Sequence, residues 1–178
     1  MQSPLIWDAC SLLNLAATNR EIEILSSMGR QSYVPEKVLR DEVLYLRPFE
    51  QRDKDELELI DPQPLVVAGV LTPLVLSSEE YELYVDFASQ VDDGEAQCLA
   101  IAASRSYCLA SDDGAALRVA REWTPAISVI TTPEWLQTWL NSTPNVDCRV
   151  VVQMVTKRAK FRPRRTSALL SWWQSCLE

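Results

Sequence analysis

Hydrophobic and polar positions in this chain switch repeatedly between a two-residue and a 3.6-residue period, the pattern of strands alternating with helices. Pro4-Leu-Ile-Trp7 is an apolar run that reaches Asp8 and passes into ACSLLNLAA, which predicts a strand ending at Asp8 followed by a helix. Glu21 to Met28 reads as a second short helix stopped by Gly29, and Ser32-Tyr-Val34 as a brief strand. Pro35 fits the first turn of a helix over roughly 36–46. In that helix Glu42 has Val38, Leu39, Tyr45 and Leu46 at i−4, i−3, i+3 and i+4, so its carboxylate lies on or beside the apolar stripe; Asp41 has fewer apolar flanks. A carboxylate there must meet a cation, a hydrogen bond or water. Residues 51–58 are a charged, solvated segment. Residues 65–76 are apolar and interrupted by Gly69 and Pro73, which suits a β-hairpin or two short strands. Ser78 to Gln90 is an amphipathic helix with a serine cap.

The stretch from Asp92 to Trp123 reads as helix, strand, helix, with Ala96, Leu99, Ala100 and Ala103 on one helical face and Tyr107–Ala110 as a buried strand. A helix runs antiparallel to the strand that follows it, so Glu95 and Asp112 should meet at the carboxyl rim of a parallel sheet, where α/β proteins place ligands. Helix capping is the competing explanation. Asp92-x-x-Glu95 fits a capping box, Asp112-Asp113 can cap the next helix, and Asp8 can cap the first. Further on, Ala126–Ile130 is a strand, and Thr132 with Pro133 opens a helix in which Trp135 and Trp139 face the core. Two last helices are expected over roughly 146–160 and 166–177.

At 178 residues, 47% hydrophobic and 24% charged, the chain is expected to be one soluble, cytoplasmic domain, with no membrane span and no signal peptide. Its five scattered cysteines fit reduced thiols better than a disulfide framework or a zinc site. Histidine is absent, which excludes triads built on it and His-ligated metals. What remains is carboxylate. Asp8, Glu95 and Asp112, with Glu42 reaching in from its helix, would repel one another at one rim unless a cation neutralised them. Oxygen ligands suit Mg²⁺ or Mn²⁺, and such ions can activate water against a phosphodiester. The net charge of −8 hides a basic run, KRAKFRPRR at 157–165, whose Lys157, Arg158, Lys160, Arg162, Arg164 and Arg165 are candidates for phosphate contact; a solvated helix end or an acidic partner protein would use them equally well.

The order of motifs resembles the PIN domain family, which includes VapC-like toxin ribonucleases. IWDACSLLNL resembles its first-strand aspartate motif and supplies Asp8; VPEKVLRDEV supplies Glu42; DGEAQCLAIA supplies Glu95; LASDDGAALRVA supplies Asp112 and Asp113; VITTPEWL resembles the later Thr-rich strand end. The likeness covers about residues 4–140, with 145–178 as a C-terminal helical extension. It implies an α/β/α sandwich around a mainly parallel sheet of four or five strands. It also implies an endoribonuclease in which Asp8, Glu42, Glu95 and Asp112 are catalytic and Asp8, Glu95, Asp112 and Asp113 hold Mg²⁺ or Mn²⁺. RNA, an antitoxin protein and a second copy of the chain are the partners implied. The sequence departs from the pattern at Cys10, where a small polar residue is usual, so Ser11 or Asn14 would have to take its part. The nearest basic residue after the Asp pair is Arg118. A catalytically silent PIN-like module is the alternative. A haloacid-dehalogenase-like phosphotransferase is a weaker one, because Cys10 stands where that family needs a second aspartate.

Overall fold

The computed structural model of the chain describes residues 2–42, 44–49 and 56–178. Among these the main sheet holds β1 (Leu5–Trp7), β2 (Ser32–Pro35), β5 (Thr72–Leu74), β6 (Cys108–Ala110) and β7 (Val129–Ile130), in the order β5-β2-β1-β6-β7. Each neighbouring pair is parallel, with Leu5, Ile6 and Trp7 of the central strand opposite Cys108, Leu109 and Ala110 of β6. Strand side chains alternate between faces, and both faces here are covered, which is why the strands read as unbroken apolar runs. Leu5, Trp7, Val34 and Ala110 pack on one side with α1 (Ala9–Ala17), α2 (Glu21–Ser27), α8 (Thr132–Ser142), α9 (Cys148–Arg158) and α10 (Leu170–Leu177). Ile6 and Leu109 pack on the other with α5 (Ser78–Ala88), α6 (Asp93–Arg105) and α7 (Gly114–Glu122). The result is a three-layer α/β/α sandwich with a parallel sheet.

Three expectations need correction. The helix after β2 is only α3 (Glu36–Asp41); Glu42 leaves it with extended backbone (φ −95°, ψ 118°), and Leu44–Leu46 forms β3. β3 pairs antiparallel with β4 (Glu58–Ile60) in a separate two-stranded sheet, where Leu44 and Leu46 turn inward. Pairing with a distant strand outweighed the helical spacing. The run 65–76 begins inside α4 (Gln63–Val67) and then forms the single strand β5, neither a hairpin nor two strands, because β5 finds its partner in β2. The cap of α8 is Thr131, one residue earlier than expected, with Glu134 closing its capping box. The charged segment over 51–58 falls mostly outside the described residues.

Arg158 closes the C-terminal part of the chain onto the sandwich. Only 4% exposed, it donates through Nη1 to Ala17 O (3.1 Å) and to Asn19 Oδ1, and through Nη2 to Glu58 Oε2 (2.7 Å). The guanidinium thus receives carbonyls left over at the end of α1 and joins α1, β4 and α9. That overturns its candidacy as a phosphate contact: the group is enclosed and its hydrogen-bonding face is occupied. After Arg158, Lys160 takes a left-handed backbone (φ 56°) and the chain crosses the sheet rim as an irregular strap over 159–168. Phe161 meets the ring of Trp173 edge-on at 5.4 Å, and Pro163 is buried. Replacing Arg158 by Ala should cost about 2–4 kcal/mol in urea unfolding, since it leaves buried carbonyls unsatisfied. Replacing half-exposed Glu58 by Gln should cost under about 1 kcal/mol. Equal costs would show that the enclosed guanidinium is not the tie.

Candidate active site

Asp8 follows the last residue of the central strand, and its backbone N–H donates to Ala110 O of β6 (3.2 Å). Its side chain is 2% exposed. Oδ1 caps α1 by accepting from the Ser11 N–H at 2.7 Å. Oδ2 is buried with no partner, and the Ser11 and Ser111 hydroxyls nearby do not meet it in hydrogen-bonding geometry. Burial, with the charge of Asp112 adding to it, raises the carboxyl to about 7 against the pull of the serines. Asp8 therefore caps a helix, yet the cap uses only one of its oxygens.

The neighbouring pair divides its roles. Asp113 is the cap of α7, with Oδ1 accepting from Ala115 N (2.6 Å) and Ala116 N (3.0 Å). Asp112 turns instead across the rim to the start of α8 and to α1. Its carboxylate accepts from the Thr132 N–H (3.1 Å), the Thr132 hydroxyl (2.5 Å) and Asn14 Nδ2 (3.2 Å), and Asn14 also donates to Thr132 Oγ1 (3.0 Å). Burial raises Asp112, and these donors and Arg164 oppose it. Asn14 thus ties Asp112 to Thr132 from α1. Thr132, read from the sequence as a helix cap, orients Asp112. The tandem Thr-Thr-Pro at a strand end was the available signal.

Glu95 stands in the first turn of α6. Its Oε2 accepts from the Asp92 N–H at 3.4 Å, a long, weak capping bond. Desolvation first, then the charges of Asp113 and Asp8, raises it to about 7. Glu42 is placed by Gly94: a Cβ there would collide with Glu42 Oε1. The Gly of Gly-Glu-Ala therefore lets a carboxylate lie against the N-terminus of α6, where the helix dipole favours it. Burial and the charge of Asp92 raise Glu42, while Lys37 lowers it. Asp41 is instead paired with Lys37 (3.2 Å).

Two cavities flank Cys10. One, of ≈420 Å³, is walled by Asp8, Glu42, Asp92 and Glu95 together with Lys37; the other, of ≈540 Å³, runs from Asn14, Asp112 and Asp113 under the strap. The Cys10 thiol is pushed up to about 12, by desolvation and then by Asp8, Glu95, Asp113 and Glu42. Desolvation and the surrounding carboxylates together favour the neutral thiol over the nucleophilic thiolate at neutral pH. Among the described residues no three acidic or cysteine side chains already form a metal-ligand cluster. The rim is an array of carboxylates under mutual repulsion.

A family model for the PIN domain matches residues 4–132. The chain belongs to the PIN domain family. No curated protein and no solved structure matches it. The matched PIN region carries Asp8, Glu42, Glu95, Asp112, Asp113 and Thr132, while α9, the strap and α10 lie beyond it. A PIN domain is a nuclease fold, and PIN nucleases generally use divalent metal ions. No helix among the described residues is long and apolar enough to cross a membrane.

Asp8 sets a pH dependence for this PIN domain. Its carboxyl titrates near 7 when folded and near 3.8 when unfolded, so between those values the folded state holds a proton that the unfolded state has released. The stabilisation is complete below about pH 4 and is lost as pH rises through 7. In the metal-free protein this carboxyl should remove ~2 kcal/mol between pH 5.5 and 8. Asp8→Asn keeps the Oδ1 cap and should flatten that part of the profile, unfolding at higher urea than wild type at pH 8. Parallel profiles for the two proteins would contradict the buried, unpartnered carboxyl.

Proposed function

We propose that this PIN domain is a divalent-metal-dependent endoribonuclease. The observation that carries the proposal is Asp8: a nearly fully buried carboxylate, one oxygen bare, set between Glu95 and Asp112 with both flanking groups also raised. A capping role explains Oδ1 and leaves Oδ2 unexplained. A hard cation explains both the bare oxygen and the accumulation of negative charge, because it removes the repulsion that raises these groups.

The donor set fits Mg²⁺ or Mn²⁺, which prefer carboxylate oxygens and retain waters. Asp8, Glu95 and Asp112 would hold the ion, with Asp113 in support and Glu42 contributing from the opposite wall. Bound there, the ion supplies Lewis-acid polarisation of a phosphoryl oxygen and an activated water. The chain's own residues do the positioning. Asn14 and Thr132 fix the rotamer of Asp112, Ser11 N–H fixes Asp8, and Gly94 admits Glu42 to the rim. With no histidine and a neutral Cys10, water is the attacking group that this rim supports.

Calorimetric titration of Mn²⁺ and metal-dependent cleavage of a labelled mixed-sequence RNA test the reading together. Wild type should bind the ion and cut; Asp8→Asn should lose both, with cleavage down at least about 100-fold. Gly94→Ala is expected to leave urea stability within about 1 kcal/mol, because Glu42 is a flexible side chain that can yield, while lowering cleavage roughly tenfold or more. No Mn²⁺ binding by wild type at millimolar concentration would refute the nuclease reading and leave a silent PIN module.

A further inference from the structure

The basic run separates in space in a way its sequence does not show. Lys157 lies over the ring of Phe49, 4.8 Å from its centroid, and Arg158 is enclosed. Beyond them the strap lines the ≈540 Å³ cavity along its length: Phe161 and buried Pro163 form part of that lining, and Lys160, Arg162 and Arg164 bring positive charge to the same hollow as Asp112, Asp113 and Glu134. Arg164 is held at the rim itself. Its Nη2 donates to Asp112 O at 2.9 Å, and its guanidinium lies against Gly114, where a Cβ would stand 2.5 Å from Nη2 and 2.7 Å from Nη1. Gly114 opens α7, so the cation rests beside the aspartate pair because that position has no side chain. Arg121, on α7, adds a fourth cation to the cavity.

A chain of net charge −8 thus gathers cations into one hollow that adjoins its acidic rim. Mixed charge of this kind suits a polyanion passing over a cation site: the rim repels phosphates until neutralised, and the strap attracts them. Leu13, Leu117 and Pro133 give the same hollow an apolar wall, against which a base can rest. Its volume is that of a small-ligand pocket, which an unpaired base can enter and a base held within a duplex cannot.

We propose that the strap, with Arg164 and Arg162, is the phosphate-binding wall of this site, and that it admits single-stranded nucleic acid, holding the nucleotide beside the scissile phosphate. The proposal rests on the nuclease reading for the position of the scissile phosphate, but strand binding is measurable without cleavage. It also places the substrate-holding cations outside the matched PIN region, in the chain's own C-terminal part.

The test is fluorescence anisotropy in millimolar Ca²⁺, an oxygen-seeking ion that neutralises the rim, with a labelled 12-nucleotide RNA, its DNA counterpart and the corresponding RNA duplex, over a range of salt and with the probe checked for intactness. Wild type should bind single strands at least about tenfold more tightly than duplex. Arg162→Ala/Arg164→Ala should weaken single-strand binding roughly 10–100-fold and lower the salt slope by about 1.4. Arg20→Ala/Arg149→Ala, which removes the same charge from other surfaces, should change affinity less than about threefold. Gly114→Ala, which moves Arg164 without removing its charge, should weaken binding several-fold and so separates local contact from net charge. Unchanged affinity and slope in the strap double variant overturns the proposal, as does duplex bound as tightly as single strand, or no binding by wild type. Binding lost in the double variant while wild type fails to cut keeps the strap and removes the nuclease reading. Cutting by wild type with intact binding in the double variant does the reverse.

Discussion

The rim is organised by a carboxylate that has been taken out of water at the end of the central strand. Asp8 is caught between two demands: the helix that follows needs an acceptor, and the parallel sheet buries whatever ends β1. The first is met by Oδ1 and the second leaves Oδ2 bare. Desolvating a charge costs far more than a capping bond returns, so the folded chain holds a proton there near neutral pH or requires a cation. The surrounding groups follow from that condition. Glu95 is raised partly by Asp8, Asp8 partly by Asp112, and Cys10 by several carboxylates together.

Against this repulsion the fold sets small local devices rather than one large counter-charge. Two glycines act as seats: Gly94 receives the carboxylate of Glu42, and Gly114 receives the guanidinium of Arg164. One lies at the start of α6 and the other at the start of α7, where a missing Cβ lets a side chain from another element approach the helix end. Thr132 and Asn14 hold Asp112 with neutral donors, which orient a carboxylate without cancelling its charge. The rim stays negative and remains open to a cation.

Cations of similar sequence context are put to opposite uses. Arg158 is sealed among carbonyls and ties α9 to α1 and β4, a structural role that a planar fork of donors fills well. Arg164, six residues on, lies in the open at the aspartate pair. The turn at Lys160 separates the two by changing helix into strap. Phe161, edge-on to Trp173, and buried Pro163 then pin the strap, whose apolar and basic side chains line the hollow together.

The strand-then-acid order at Asp8 and Asp112, the capping boxes at Asp92–Glu95 and around Glu134, and the buried tryptophans of α8 are local patterns with periods of two to four residues, and the parallel sandwich follows from how they alternate. The sequence could therefore place Asp8, Glu95 and Asp112 at one rim. It misread 36–46 as one helix because the pairing of β3 with β4 is a long-range contact that outweighs local spacing. It could not divide Asp112 from Asp113, since that division depends on a donor 98 residues away in Asn14. Nor could it send Arg158 inward and Arg164 to the rim: the second of these contacts spans 52 residues, and a run of like charges carries no local mark of the neighbours each will meet. Periodicity determined which residues end at the rim; packing between distant segments decided what each one does there.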